Sequence, residues 1–300
     1  MISVRHEVFI EVANQLSFSA AADVLFISQP AISKHIKALE QHYKTALFER
    51  KGNSIALTAT GRILHERLLQ ARRLQQQMEF EISTAESKVR ANGQFKFGAS
   101  TTVALYIIPR VLSGFHQKYP DLKISMLNRN TDTILQALLN GDIDTGIVEG
   151  IKKINSINYQ YFMTDEVVAV CSSRSPIAQR PVLALADLKK VPIALREQGS
   201  GTLAALKANL QQQGLKLSEL QVGIRLGGTE ALKNFLKEDE CLGFLPRRAI
   251  LKELRDGELT AIKIEHLHIT RDFYFIQRKG EENDGLGKAF IRYAKMKYIR

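Results

Sequence analysis

The sequence predicts an α/β protein with an N-terminal all-α winged helix-turn-helix head. Three observations predict it. Residues 17–40 hold two short helical patterns separated by a tight turn, residues 60–90 form a polar stretch with heptad spacing, and apolar strands alternate with helical segments from residue 94 onward. At 300 residues with 45% hydrophobic content, the chain can bury two ordinary cores. Cys171 and Cys241 are its only cysteines, so no disulfide framework is implied. The first helix carries Arg5, His6 and Glu7 where an export signal would be apolar, and no apolar run is long enough to span a bilayer. A cytoplasmic protein without membrane association is expected.

In the head, Ser17 is the N-cap of a short helix that buries Ala21, Ala22 and Leu25. Phe26 and Ile27 lead to Ser28, a second N-cap, and Gln29 and Pro30 occupy the next first turn, where proline's missing N–H costs nothing. Ile32, Ile36 and Leu39 then recur at i, i+4 and i+7 and face a core. The other side offers Ser28, Gln29, Pro30, Ser33, Lys34 and Lys37, a neutral and basic face that suits a DNA major groove. After Leu47, LFERKGNSIALT reads as two short strands around Lys51-Gly52-Asn53, a hairpin wing that sets Arg50 and Lys51 beside a phosphate backbone. A plainer reading stands beside it, in which the hairpin only closes the small core and its charges are solvated. Global charge does not decide between them. The chain carries +11, yet its first 60 residues hold six Lys/Arg against five Asp/Glu.

Phe9, Val12, Ser17-Phe18-Ser19, Ala21-Ala22, Leu25, Ser28-Gln29-Pro30-Ala31, Ser33, Ile36, Leu39-Glu40, Leu47-Phe48, Arg50, Leu57-Thr58 and Gly61 together resemble the N-terminal signature of LysR-type transcriptional regulators. Length and layout resemble that family across the whole chain. The resemblance implies a homodimer or homotetramer that binds double-stranded promoter DNA, responds to a small-molecule anion and performs no catalysis. The sequence departs from the family at Tyr43 and Lys44, where an apolar residue followed by glycine is usual. Lysine takes a left-handed C-cap less cheaply than glycine, so a differently shaped helix end is expected there.

From Thr60 to about Arg90 a long helix is expected, with Leu64, Leu68, Ala71, Met78, Ile82, Ala85 and Val89 spaced by fours and threes and Gln75 breaking the apolar seam. It reads as a dimerisation helix in which Gln75 fixes the register; an amphipathic helix packed on its own domain is the alternative. The expected domains are a DNA-binding head at 1–59, a linker and dimerisation helix at 60–90, and an effector-binding part at 91–300.

Beyond Asn92-Gly93, the strands FKFGAS, LKISMLN, DTGIVE, EVVAVCS, VPIAL, QVGIRL, CLGFL and FYFIQ alternate with helical segments, which is the pattern of an open α/β sheet. The family resemblance turns this into two lobes of the periplasmic-binding-protein type. Lobe I would hold about 94–164 and 270–300, and lobe II about 165–269.

Ser100, Thr101 and Thr102 follow a strand and open a helix, so free N–H groups and three hydroxyls can hold an anion there. Arg196, Ser200 and Thr202, in REQGSGT, repeat the arrangement with glycines that allow close backbone approach. Gly227-Gly228-Thr229-Glu230 repeats it less completely, with Thr229 as its hydroxyl. Each segment taken alone also fits an ordinary N-cap and turn. The resemblance brings the first two to one cleft, and is nearest to family members that sense small inorganic or carboxylate anions. Arg196 would supply the charge. Glu149 would reject larger anions, orient Arg196 or accept a bond from a ligand amine; a solvated strand end is the other reading. Asp239 and Cys241 stand where the family pattern suggests glycines, which puts a backbone contact at that turn in doubt.

An enzyme finds little support. The seven histidines form no H-E-x-x-H, the cysteines lack CxxC spacing, and no Walker, GxGxxG or GxSxG element occurs. His266 and His268 would share one strand face with no third metal ligand nearby. The two cysteines read as core residues, with redox sensing as the alternative. No cofactor is implied beyond a small anionic co-inducer. The competing functions are a small-molecule binding protein whose DNA head is secondary, and a catalytic α/β domain fused to a helix-turn-helix.

Overall fold

The computed structural model describes residues 2–51, 54–85, 93–150, 153–180, 182–282 and 285–298, and it divides into two compact units, Met1–Gly93 and Gln94–Arg300. The first unit contains α1 (Val4–Gln15), α2 (Phe18–Leu25), α3 (Gln29–Tyr43), a hairpin of β1 (Phe48–Lys51) and β2 (Ser54–Leu57), and α4 (Ala59–Ala85). Ser17 caps α2 by accepting the Ala20 N–H at 3.2 Å, and Ser28 caps α3 by accepting that of Ala31 at 3.4 Å. Phe9, Val12, Ala21, Ile32, Ile36, Leu39 and Leu47 form the core that these helices share.

The different helix end expected at Lys44 is not found. Lys44 adopts the left-handed conformation (φ 53°, ψ 34°), and its N–H and that of Thr45 close on the carbonyls of Gln41 and Glu40. The following segment imposes this geometry: the Glu40 carboxylate accepts the Leu47 N–H at 2.8 Å and fixes where the wing begins. That anchoring outweighs the cost of about 1 kcal/mol for a side chain in this region. Thr58 then donates to Ala46 O and accepts from Gly61 N–H, which starts α4. Gly61 packs so closely on the Leu47 carbonyl that a Cβ would overlap it. In the wing, Lys51 pairs across to Ser54; the Gly52-Asn53 turn and the Lys51 side chain lie outside the described residues.

The apolar seam of α4 is used differently from the heptad expectation. Leu68 and Leu69 are buried in the head's own core and Leu64 packs against it, so the early seam is intramolecular. Gln75, expected to set register, accepts the Ile2 N–H at 3.2 Å. The reason is that α4 leaves the wing directly and lies on α1, whose apolar face needs a cover. Leu74 and Met78 are exposed, and the side chains of Ile82 and Ala85, with all of Val89, lie outside the described residues.

The second unit runs β3 (Gly93–Ser100), α5 (Thr101–Tyr106), α6 (Ile108–Lys118), β4 (Leu122–Arg129), α7 (Thr131–Asn140), β5 (Thr145–Glu149), β6 (Ile157–Ser172), β7 (Val182–Leu183), β8 (Pro192–Arg196), α8 (Gly201–Gln212), β9 (Gln221–Leu226), α9 (Thr229–Glu238), β10 (Leu242–Pro246), α10 (Leu251–Arg255), β11 (Leu259–Ile264), β12 (Ile269–Arg278) and α11 (Gly285–Tyr298). The eight strands read from the sequence all appear. The strand order is β4-β3-β5-β12-β6-β10-β8-β9, with β11 paired to β6 and β7. β6 and β12 are antiparallel partners from Ile157↔Arg278 to Val167↔Ile269 and belong to both lobes. On one side β12 pairs with β5, and on the other β6 pairs with β10, so these two long strands are the crossovers. β5 and β10 are buried throughout, as expected for strands covered on both faces. Separate cores form around Ile134, Leu138 and Ile276 in lobe I, and around Leu206, Leu210 and Phe244 in lobe II. The carboxyl ends of β3, β5 and β8 deliver Ser100, Glu149 and Arg196, which is where open α/β sheets place ligands.

Candidate functional site

On the head, Ser28, Gln29, Pro30, Lys34 and Lys37 are exposed along α3 while Ser33 is half-buried. Gln29 Nε2 donates to Ser33 Oγ at 3.0 Å, so the two polar groups satisfy each other until something replaces them. Arg50 is exposed on the wing. Buried Ile32, Ile36 and Leu39 hold this face outward.

In the second unit the two hydroxyl-rich segments meet. Ser100, Thr101, Thr102, Asn130, Thr131 and Glu149 from lobe I and Arg196, Ser200, Gly201 and Thr202 from lobe II line one closed crevice that leaves no room for a water molecule. A cavity of about 440 Å³ adjoins it, sharing Thr131, Glu149, Ser200 and Gly201 and extending to Asp132, Leu203, Lys207 and Leu217. The lobes also touch at the cleft edge. Asp132 N–H donates to Gly199 O at 3.3 Å, Asn130 Nδ2 donates to Gln198 O at 3.4 Å, and the Tyr106 hydroxyl donates to Glu230.

The central cation is not Arg196. Arg196 is buried, with Nε and Nη2 on the two carboxylate oxygens of Glu197 at 2.8 and 2.9 Å and Nη1 on Thr229 Oγ1 at 2.8 Å. Glu197 is thereby held below the usual carboxylate range: burial works to raise it, but the hydrogen bonds and charge of Arg196 outweigh that. Thr229 acts as an acceptor behind the cavity rather than on its wall. Glu149 does not orient Arg196 and is no solvated strand end. Its side chain is 3% exposed, Oε1 accepts from Arg271 Nη1 at 2.8 Å, and Oε2 accepts from the Thr131 hydroxyl.

Arg271, absent from the sequence-predicted set, is the hub. Its side chain is fully buried, and it donates to Thr202 at 2.7 Å, Thr102 at 2.9 Å, Asp165 at 2.9 and 3.2 Å, and Glu149. It thus ties β12 to both predicted segments and to β6. Arg248 Nε meets the other oxygen of Asp165 at 2.5 Å. A signal for Arg271 existed in the sequence: it shares the strand face of Ile269, Phe273 and Phe275, and an arginine on a buried face requires partners. Ser100, by contrast, is 2% exposed and does not cap α5, and its hydroxyl has no protein partner.

The comparison with known families decides what these sites belong to. Residues 5–62 match the family described as bacterial regulatory helix-turn-helix protein, lysR family, and residues 88–298 match the LysR substrate binding domain. The chain is a member of the LysR family of transcriptional regulators. It is 30% identical to the HTH-type transcriptional regulator CysL of Bacillus subtilis (strain 168), over 97% of this chain and 95% of that one. The Synechocystis PCC6803 CcmR regulatory domain in complex with 2-PG is 26% identical, with TM-score 0.62, covering 68% of this chain and 97% of that chain. Full-length CbnR complexed with its target DNA shares the fold at 20% identity and TM-score 0.63, covering 99% of each chain.

A LysR-type regulator combines a helix-turn-helix that binds DNA with a domain that binds a small-molecule effector, the two units described above. The other chemistries read from the sequence fare less well in this regulator. Burial pushes the Cys171 thiol up to about 11; burial, then the hydrogen bond and charge of Asp239, push Cys241 up to about 12. Both thiols are thereby held toward their neutral form, which disfavours thiolate chemistry. Asp239 accepts the Cys241 N–H at 2.8 Å and shapes with a side chain the turn where glycines were expected. His266 and His268 lie in the turn between β11 and β12, not on a strand face, and His266 is left-handed (φ 59°). Among the described residues no cluster of three possible metal ligands occurs, and no helix is long and apolar enough to cross a membrane.

Proposed function

We propose that this regulator reads promoter DNA through Gln29, Ser33 and Lys34, with Ser28, Pro30, Lys37, Arg50 and Lys51 placing it on the duplex, and that a small anion in the inter-lobe cleft is its co-inducer. It acts by binding, without catalysis, in the cytoplasm. The proposed division is the head at 1–59, the helix from 60 to 90 and the effector part from 91 to 300. Two heads joined through the distal part of α4, where Leu74 and Met78 are exposed, would read two half-sites as a homodimer or within a homotetramer.

The observation that carries the effector reading is the cavity of about 440 Å³ between the lobes, lined by Thr131 and Glu149 from one and by Ser200 and Gly201 at the start of α8 from the other, beside a closed crevice in which the buried Ser100 hydroxyl is unpartnered. Its ligand set is Ser100, Thr101, Thr102, Ser200 and Thr202, with Glu149, Arg196 and Thr229 behind or beside them and Arg271 as the organising cation. A relative with a ligand of the same class, CcmR with 2-PG, adds support. A ligand that prefers one arrangement of the lobes shifts the crossovers β6 and β12, and only such differential affinity can drive a switch.

Two measurements test this. Duplexes selected from a random-sequence pool by the full chain should lose selectivity by about 1–3 kcal/mol per contact on Gln29→Ala, Ser33→Ala or Lys34→Ala. Arg50→Ala should instead weaken all sequences and lower the salt slope by about one. A thermal-shift screen of the full chain against sulfate, phosphate and 2-phosphoglycolate should return a ligand that raises the melting temperature. Unchanged selectivity in the Gln29 and Ser33 variants would remove the helix assignment.

A further inference from the structure

The groups around Glu149 are already charge-balanced. Arg271 and Asp165 face it from the crossover strands, and Arg248 bonds the other side of Asp165. Arg196 and Glu197 close the lobe II side as a pair, and Asp132 and Lys207 stand on the walls of the adjoining cavity. Three arginines therefore match three carboxylates, and an entering oxyanion meets no unpaired cation at the centre. What it meets are neutral donors: the unpartnered Ser100 hydroxyl and the first turn of the 12-residue α8. Glu149 itself already presses on that turn, since a Cβ at Gly201 would overlap its carboxylate. The chain's own carboxylate thus lies beside the turn whose N–H groups would hold an anion.

An ionised carboxylate offers about four acceptor positions. Arg271 takes one on the first oxygen of Glu149 and Thr131 takes one on the second, which leaves acceptor capacity on a group that lines the 440 Å³ cavity. A ligand oxygen that carries a proton, or a neighbouring hydroxyl or ammonium, bonds to it. A fully ionised oxyanion without a donor sets lone pair against lone pair in a buried site, and a site built to bond a donor rejects the analogue that lacks it.

We propose that Glu149 is the residue that selects the effector, admitting oxyanions that carry a hydrogen-bond donor and excluding donorless, fully ionised ones. The proposal rests on the effector reading above and narrows its ligand class to acid oxyanions and to hydroxy or amino acid anions.

The test compares inorganic phosphate, which keeps at least one proton at neutral pH, with inorganic sulfate, which has none and the same tetrahedral shape. Calorimetry on the full-length wild type should show phosphate binding at least tenfold tighter than sulfate. Glu149→Gln, whose amide supplies both a donor and an acceptor, should bring the two anions within a few-fold of each other. Thr131→Val loosens Glu149 without removing its charge and should keep the preference. Equal affinities in wild type, a preference that survives in Glu149→Gln, or no binding of either anion by either protein would each overturn the proposal. Selective DNA retention by the same preparations, with a thermal shift from 2-phosphoglycolate that Glu149→Gln leaves unchanged, would show the regulator reading intact while this inference failed.

Discussion

On the head, Gln29 finds its partner Ser33 four residues away on the same helix; in the cleft, Arg271 reaches partners 69, 106, 122 and 169 residues distant. The first pair is at the surface and can trade its bond for water or a base edge at little cost. The second set is buried, and withdrawing Arg271 from it would leave the buried Glu149 carboxylate uncompensated. The difference teaches why one region suits reading and the other suits switching. Exposed, locally satisfied groups can exchange partners one at a time, whereas a buried network shared by two lobes changes only when the lobes do.

The largest expected effect comes from breaking the buried side of this comparison. Arg271→Met leaves Glu149 and Asp165 without their shared cation and should cost about 3–5 kcal/mol. Hydrogen exchange in urea should place the loss in the Gln94–Arg300 unit and leave the head's protection unchanged. If the loss were below about 1 kcal/mol, the network would not be the structural centre argued for it.

Leu68→Ala should follow, at about 2–4 kcal/mol, because Leu68 fills the head's core. Met78→Ala, at an exposed position of the same helix, should stay within about 0.5 kcal/mol of wild-type head stability. Met78→Glu should act on self-association, measured by sedimentation. Equal stability costs at the two positions would show that α4 does not divide into an internal and an external half.

The pH dependence sharpens the cleft further. Glu197 sits below its ordinary value of 4.5 in the folded chain, so it binds a proton more readily when unfolded. Its contribution is therefore present above about pH 4.5 and is lost as pH falls through the folded value. Acid unfolding of the effector unit should become shallower in Glu197→Gln over that range, and an unchanged profile would mean that Arg196 gains nothing from Glu197.

The smallest effect belongs to the head. Lys44→Gly removes a side chain from a left-handed position and should stabilise the head by about 0.5–1 kcal/mol in a urea titration. A loss would show that the lysine side chain makes a compensating contact.

Residue order alone determined the helix-turn-helix, because caps, a first-turn proline and an i, i+4, i+7 face act within one or two turns of chain. Ser17, Ser28, Ile32, Ile36 and Leu39 all took the places expected of them. The eight main strands were legible for the same reason: buried apolar runs bounded by turns carry their own signature. The six-residue β11 was not, and it finds its place by pairing with β6 and β7. The two hydroxyl-rich segments could be picked out as loop-to-helix junctions, but their meeting in one cleft depends on β6 and β12 crossing between lobes. Only the tertiary structure decided the charges. Arg196 had a carboxylate beside it in sequence and used it, while Arg271 had to find Glu149 and Asp165 more than a hundred residues away. It decided the seam of α4 as well. A heptad spacing states only that one face is apolar, and the bare surface of α1 determined that Leu64, Leu68 and Leu69 would cover their own head.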